Sequence, residues 1–158
     1  PGGFSEGRTE IVSELSLHRR PGTAADAPLV LDGDELRLTS MKLNGDTLAS
    51  DRFEATPDRL TVQDCPASGS FLLTIATEIV PEDNTKLMGL YRSNGVWCTQ
   101  CEAEGFRRIT YFYDRPDVLI PYRVRIEADR TAAPVLLSNG NPRRCRGARR
   151  RSPLCGLE

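Results

Sequence analysis

Between Cys98 and Asp117 the chain concentrates residues that could do chemistry. It carries Cys98-x2-Cys101, the carboxylates Glu102 and Glu104, the adjacent Arg107 and Arg108, and the aromatics Phe106, Tyr111, Phe112 and Tyr113. Two chemistries fit such a stretch: thiolates that hold a metal or cycle redox state, or polar groups that bind a charged ligand. The cysteine spacing matches half of a zinc knuckle, and Cys145 and Cys155 could complete four thiolates. Structural zinc sites, however, repeat a tight spacing in both halves, whereas nine residues separate Cys145 from Cys155. A redox CxxC opens a helix in a βα pattern, and no such pattern surrounds this one. The sequence therefore reads Cys98 and Cys101 as ordinary thiols at a strand end, with no metal ligands in the chain.

Other catalytic machinery is sparse. The single histidine, His18, lies next to Arg19 and Arg20 at the end of an alternating segment. One histidine cannot build a two-His metal site, and none remains in reserve for a triad. No glycine-rich phosphate loop has the required spacing. The formal net charge of −1 hides an asymmetry, because six arginines crowd into residues 143–151. Without that block and Glu158, residues 1–141 hold 15 basic and 21 acidic groups, a balance of −6. The Arg block could contact phosphates, but it has no interleaved aromatics to stack on bases. Its Arg, Ala, Gly, Pro and Cys are also what GC-rich DNA encodes out of frame. The organisation expected is a β domain over 1–141, then an anomalous Arg-rich tail over 142–158, out of frame or artificially added. Five cysteines make an odd count, and no secretory signal is visible at the N-terminus. Reduced thiols in the cytoplasm are the expectation.

The elements that must position these residues read as strands. In Arg8–Arg19, Ile11, Leu15 and Leu17 share a face, and Glu10, Glu14 and Ser16 face the other way. Leu29–Leu31, Leu36–Leu43, Arg59–Gln63, Phe71–Val80 and Tyr122–Asp129 read likewise, with Val135–Leu137 a shorter apolar run before a Ser-Asn-Gly-Asn turn. A slip in period at Thr39-Ser40 predicts a bulge. Asn44-Gly45 predicts a type I′ hairpin turn, which needs positive φ at both central residues. No helix longer than two turns is expected; the best candidate covers Gly105–Tyr113. The fold class is all-β, a twisted two-sheet sandwich or saddle-like domain, incomplete at both ends. No run is apolar enough to span a membrane.

Gln100-Cys-Glu102, then Arg107-Arg108 and Asp114-Arg-Pro116, resemble the signature of the aminopeptidase N family of zinc metallopeptidases. Within it Arg107, Arg108, Asp114 and Pro116 read as a structural corner with an Arg–Asp pair. The stretches Cys98–Arg107 and Tyr113–Val118, with Leu90-Tyr91, resemble most closely its bacterial alanyl aminopeptidase branch. Ala27-Pro-Leu29, Leu36-x-Leu38, Asn84–Leu87 and Leu136–Gly140 extend the likeness across residues 4–141. The resemblance implies an N-terminal saddle-like β domain that packs on a catalytic domain. It implies that Glu102 binds the α-ammonium of a peptide substrate and that Gln100 helps line the first side-chain pocket. The family's H-E-x-x-H zinc helix has no counterpart in this sequence. The zinc is thus expected to belong to the parent enzyme, and the chain is expected to be inactive alone. The alternative is a β-sandwich interaction module that uses the basic tail on nucleic acid, a partner the resemblance makes unfavoured.

Overall fold

The alternating pattern of the N-terminal segment becomes β2 (Arg8–His18), paired antiparallel along its length with β8 (Ser70–Ile79) from Thr9↔Ile79 to His18↔Ser70. The computed structural model describes residues 4–5, 7–129, 131–148 and 152–157, with the backbone alone at 4–5, 142–148 and 152–157. The remaining strands are β1 (Phe4–Ser5), β3 (Leu29–Asp32), β4 (Arg37–Leu43), β5 (Asp46–Thr47), β6 (Phe53–Thr56) and β7 (Arg59–Val62). After β8 come β9 (Gly89–Ser93), β10 (Val96–Gln100), β11 (Val124–Glu127), β12 (Pro142–Ala148) and β13 (Ser152–Leu157). They form a five-stranded sheet β1-β2-β8-β4-β5, a three-stranded sheet β3-β7-β6, a β9-β10 hairpin and a three-stranded β11-β13-β12 sheet.

The first two sheets enclose the core. Leu73 and Ile75 of β8 and Met41 of β4 meet Leu29 and Leu31 of β3 and Leu60 and Val62 of β7. Period-2 alternation decides who enters: within Leu29–Val62 pairing, Leu29 and Leu31 are buried and Val30 faces out. Each fully buried aliphatic side chain stabilises by about 1.5–3 kcal/mol. The expected bulge is present, as a register shift between Leu38 and Ser40 against β8. There Thr39 Oγ1 donates to the Ala76 carbonyl at 3.1 Å. The Asn44-Gly45 turn has φ of 52° and 94°, as a type I′ turn requires.

The structure differs from expectation at several points. The β11 strand covers only part of Tyr122–Asp129. Val135–Leu137 forms no strand; Val135 and Leu137 lie 71% and 83% exposed, with no facing layer to bury them. Gly105–Tyr113 contains only a single 3-10 turn, Phe106–Arg108, because its backbone is drawn into contacts with several strands. The β6 strand and the β9–β10 hairpin were not anticipated, although Asn94-Gly95 repeats the Asn-Gly turn signal, with φ of 48° and 82°. The backbone of β12 and β13 forms a hairpin beside β11. The side chains of the Arg block, of Cys145 and of Cys155 lie outside the described residues. Among the described residues no helix is long and apolar enough to cross a membrane.

Candidate functional site

The β10 strand ends at Gln100, paired with Gly89 of β9. The chain then turns through 101–104 and re-enters the protein at Gly105, whose N–H donates to the Cys101 carbonyl at 2.9 Å. Only glycine fits there: a Cβ would lie 2.8 Å from the Gln100 oxygen, 2.8 Å from Met88 Cε and 2.9 Å from Cys101 Cα. Both predicted ligand-binding residues sit on this projection, and both are exposed. Gln100 Nε2 donates to the Glu102 carbonyl at 3.1 Å, and the Glu102–Ala103 peptide is cis. Among the described residues the Glu102 carboxylate has no hydrogen-bond or ion-pair partner. The sequence motif therefore does bring Gln100 and Glu102 together.

Beneath the projection the chain is buried. Thr110 and Tyr111 are each 1% exposed. Thr110 Oγ1 lies 2.9 Å from Ser13 Oγ of β2, and Thr77 Oγ1 of β8 donates to the Ile109 carbonyl at 3.2 Å. Tyr111 OH donates to the Thr56 carbonyl at 2.6 Å, and Phe112 exchanges both backbone hydrogen bonds with Asp32 at 2.9 and 3.0 Å. Burial, with the Asp58 charge, pushes the Tyr111 phenol up to about 12. This segment thus ties both core sheets to the base of the exposed turn.

The two arginines have separate partners. Arg107 donates from its backbone N–H and Nε to Asp114 Oδ2, at 3.0 and 3.1 Å, and from Nη2 to the Asp114 carbonyl at 2.7 Å. Its Nη2 also reaches Glu104 Oε2 at 3.1 Å. The Arg–Asp corner expected from sequence is therefore present. Arg108, whose side chain is only 6% exposed, turns the other way. Its Nη2 donates to Glu35 Oε2 at 2.6 Å, and its Nε donates to the Met88 carbonyl at 3.1 Å. Its Nη1 lies 2.8 Å from Asp34 Oδ1, an ion contact without hydrogen-bond alignment. Lys86 Nζ adds contacts to Asp34 at 3.1 Å and Glu35 at 2.9 Å. Burial alone would raise the Asp34 carboxyl, but the positive charges of Arg108 and Lys86 in contact with it together outweigh burial and hold the group below its ordinary value. Glu35 is held low chiefly by Arg108 and then by Lys86. Sequence reasoning did not find this network; the adjacent Asp34-Glu35 after a glycine was its only trace.

Cys98 and Cys101 are free thiols, and burial, with the Asp114 charge, raises the Cys101 thiol. That disfavours the thiolate a ligand or nucleophile needs. Among the described residues no group of three or more His, Cys, Asp or Glu could hold a metal ion, so a catalytic zinc does not fit them. An open cavity of about 320 Å³, lined by Arg8, Asp34, Arg37, Glu78 and Arg108 among others, excludes Gln100 and Glu102. The Glu102 carboxylate stands outside that cavity, on a projecting surface.

The family model described as the peptidase M1 N-terminal domain matches residues 9–148. Aminopeptidase N of Caulobacter vibrioides is 53% identical over 135 residues, which are 85% of this chain and 15% of that protein. Legionella pneumophila aminopeptidase A, solved in complex with aspartic acid, superposes with a TM-score of 0.88 at 29% identity, over 99% of this chain and 18% of that one. A mutant M1 zinc metallopeptidase from Deinococcus radiodurans shares the fold, with a TM-score of 0.73 at 16% identity over 94% of this chain and 34% of that one. The chain thus spans about 15% of the length of the curated relative from Caulobacter.

Proposed function

Since this chain belongs to the peptidase M1 N-terminal domain family, we propose that it forms the substrate-recognition wall of a zinc-dependent aminopeptidase, with Glu102 receiving the α-ammonium of a peptide. The observation that carries this reading is the Glu102 carboxylate itself, exposed and unpartnered among the described residues, on a turn whose base is buried and cross-bonded. An α-amino group has an ordinary pKa of about 8 and is mostly cationic at neutral pH. A carboxylate that meets it forms a charge-assisted hydrogen bond. An internal peptide bond offers no cation, so the same carboxylate would be desolvated without a partner. That difference makes an exopeptidase.

Exposure also says what this wall needs. A solvent-exposed ion pair contributes only about 0–1 kcal/mol, too little to select a chain end. A second wall must exclude water from Glu102, and in this reading the catalytic domain of the parent enzyme provides it along with the zinc chemistry. Gln100, fixed by its bond to the Glu102 carbonyl, faces the first side chain of the substrate. The enzyme works in the cytoplasm, where Cys65, Cys98 and Cys101 remain thiols.

The test is Glu102→Ala in the full-length, zinc-loaded enzyme. Removing one partner of a desolvated charge pair costs about 2–5 kcal/mol, so kcat/KM for an alanyl arylamide falls about thirty-fold to several thousand-fold. Retention of full activity, and of the requirement for a free amine, would refute the assignment.

A further inference from the structure

We infer that Arg108 is a positioning residue for Glu102: it fixes, from inside the protein, the turn that aims the exposed carboxylate. This rests on the recognition role given to Glu102 above. An exposed carboxylate without contacts of its own takes its direction from its backbone, here the stretch from Gln100 to Gly105. Arg108 grips that stretch from two sides.

On the first side, Gln100 is paired with Gly89. Gly89 adopts φ of +73° and lies so close to Arg108 that a Cβ would come within 2.5 Å of Arg108 Cβ. The preceding carbonyl, that of Met88, accepts from Arg108 Nε at 3.1 Å. Met88 Cε in turn packs at the Gly105 position. On the second side, Arg108 N–H donates to the Gly105 carbonyl at 3.2 Å, closing the turn on its C-terminal end. The guanidinium is itself immobilised by Asp34 and Glu35, from the connection between β3 and β4. Through its side chain, Arg108 therefore links the strand end before Glu102 to the connection between β3 and β4. A planar fork that meets two carboxylates and a carbonyl together is a task lysine cannot match.

A double-mutant cycle in the full-length, zinc-loaded enzyme tests this. Glu102→Ala, Arg108→Met and the double variant are compared for kcat/KM on an alanyl arylamide. The ratio of inhibition constants for L-leucine and its des-amino counterpart, isocaproate, is measured alongside. Misplacement of a binding group by an ångström costs up to about a hundred-fold, so Arg108→Met lowers kcat/KM at least ten-fold and shrinks the leucine preference. In the Glu102→Ala background the same substitution changes both by less than about two-fold, because the group it acts through is gone. Equal losses in both backgrounds would mean that Arg108 acts independently of Glu102, which overturns the inference and leaves the recognition role intact. An unaffected Glu102→Ala enzyme would overturn the recognition role and the inference with it. If Arg108→Met does not fold, Asp34→Asn, which loosens one anchor of the guanidinium, is carried through the same cycle. An effect confined to the Glu102 background supports the inference; no effect, or an equal one in both backgrounds, overturns it.

Discussion

Two consecutive pieces of chain, Gln100–Glu104 and Gly105–Asp114, have opposite fates. The first is mostly exposed and leaves its central carboxylate without a partner among the described residues. The second buries Arg108, Thr110, Tyr111 and Asp114 and is bonded to strands of both core sheets. The difference teaches how a surface residue can be placed precisely without being packed. Unpaired charge is cheap in water and costly inside, so a carboxylate meant for an external cation has to remain outside. Its order must then come from the neighbouring segment, where Arg107, Arg108, Thr110, Tyr111 and Asp114 each meet a polar or charged partner. Phe106 and Phe112 bracket that segment, with their rings edge to face at 5.1 Å.

The comparison can be broken most forcefully at Tyr111. Tyr111→Ala removes a ring that is 1% exposed and its bond to the Thr56 carbonyl, and a core aromatic truncated to alanine costs about 3–5 kcal/mol. Glu102→Ala, nine residues earlier, changes stability by less than about 0.5 kcal/mol. Guanidinium unfolding of the chain measures both; comparable losses would erase the distinction between the two pieces. Gly89→Ala comes next. It forces alanine to φ of +73° and its Cβ into Arg108, for a loss of about 1–3 kcal/mol. A loss of only a few tenths would show that the contact yields freely.

The smallest effect concerns acid. The carboxyls of Asp34 and Glu35 are held below their ordinary values of 3.8 and 4.5. Their contribution is therefore complete above those values and is lost as pH falls through the depressed folded ones. Unfolding midpoints should fall more steeply between roughly pH 5 and 3 in the parent chain than in Arg108→Met. Parallel curves would mean that the guanidinium does not hold these carboxyls down. Glu35 is well exposed, so water screens much of its share.

Much of the fold was readable beforehand, for identifiable reasons. The β2 and β8 strands alternate because each has one wet face, and alternation is a local signal. The Asn44-Gly45 turn is local too, since it depends on the φ preferences of two residues. Gln100 and Glu102 were found through the motif that carries the family likeness, and two residues apart at a strand end they could hardly be separated. Arg107 with Asp114 was also foreseeable, because a corner closes within a few residues. Arg108 was not. Its anchors, Asp34 and Glu35, come from a connection more than seventy residues away, and adjacent arginines look alike until the backbone turns one outward and the other in. Val135–Leu137 erred in the opposite sense: an apolar run reads as a strand, but without a neighbour above it the run stays exposed.

By itself the sequence determined the β2, β3, β4, β7 and β8 strands, the Asn44-Gly45 turn and which carboxylate belongs to the family motif. These follow from side-chain period, backbone φ preference and residue spacing, all of which act over a few residues. Only the tertiary structure decided that Glu102 stands in solvent while Arg108, six residues on, is buried and paired with two acids. Burial and ion pairing depend on which distant strands are brought together, and no local pattern encodes that choice.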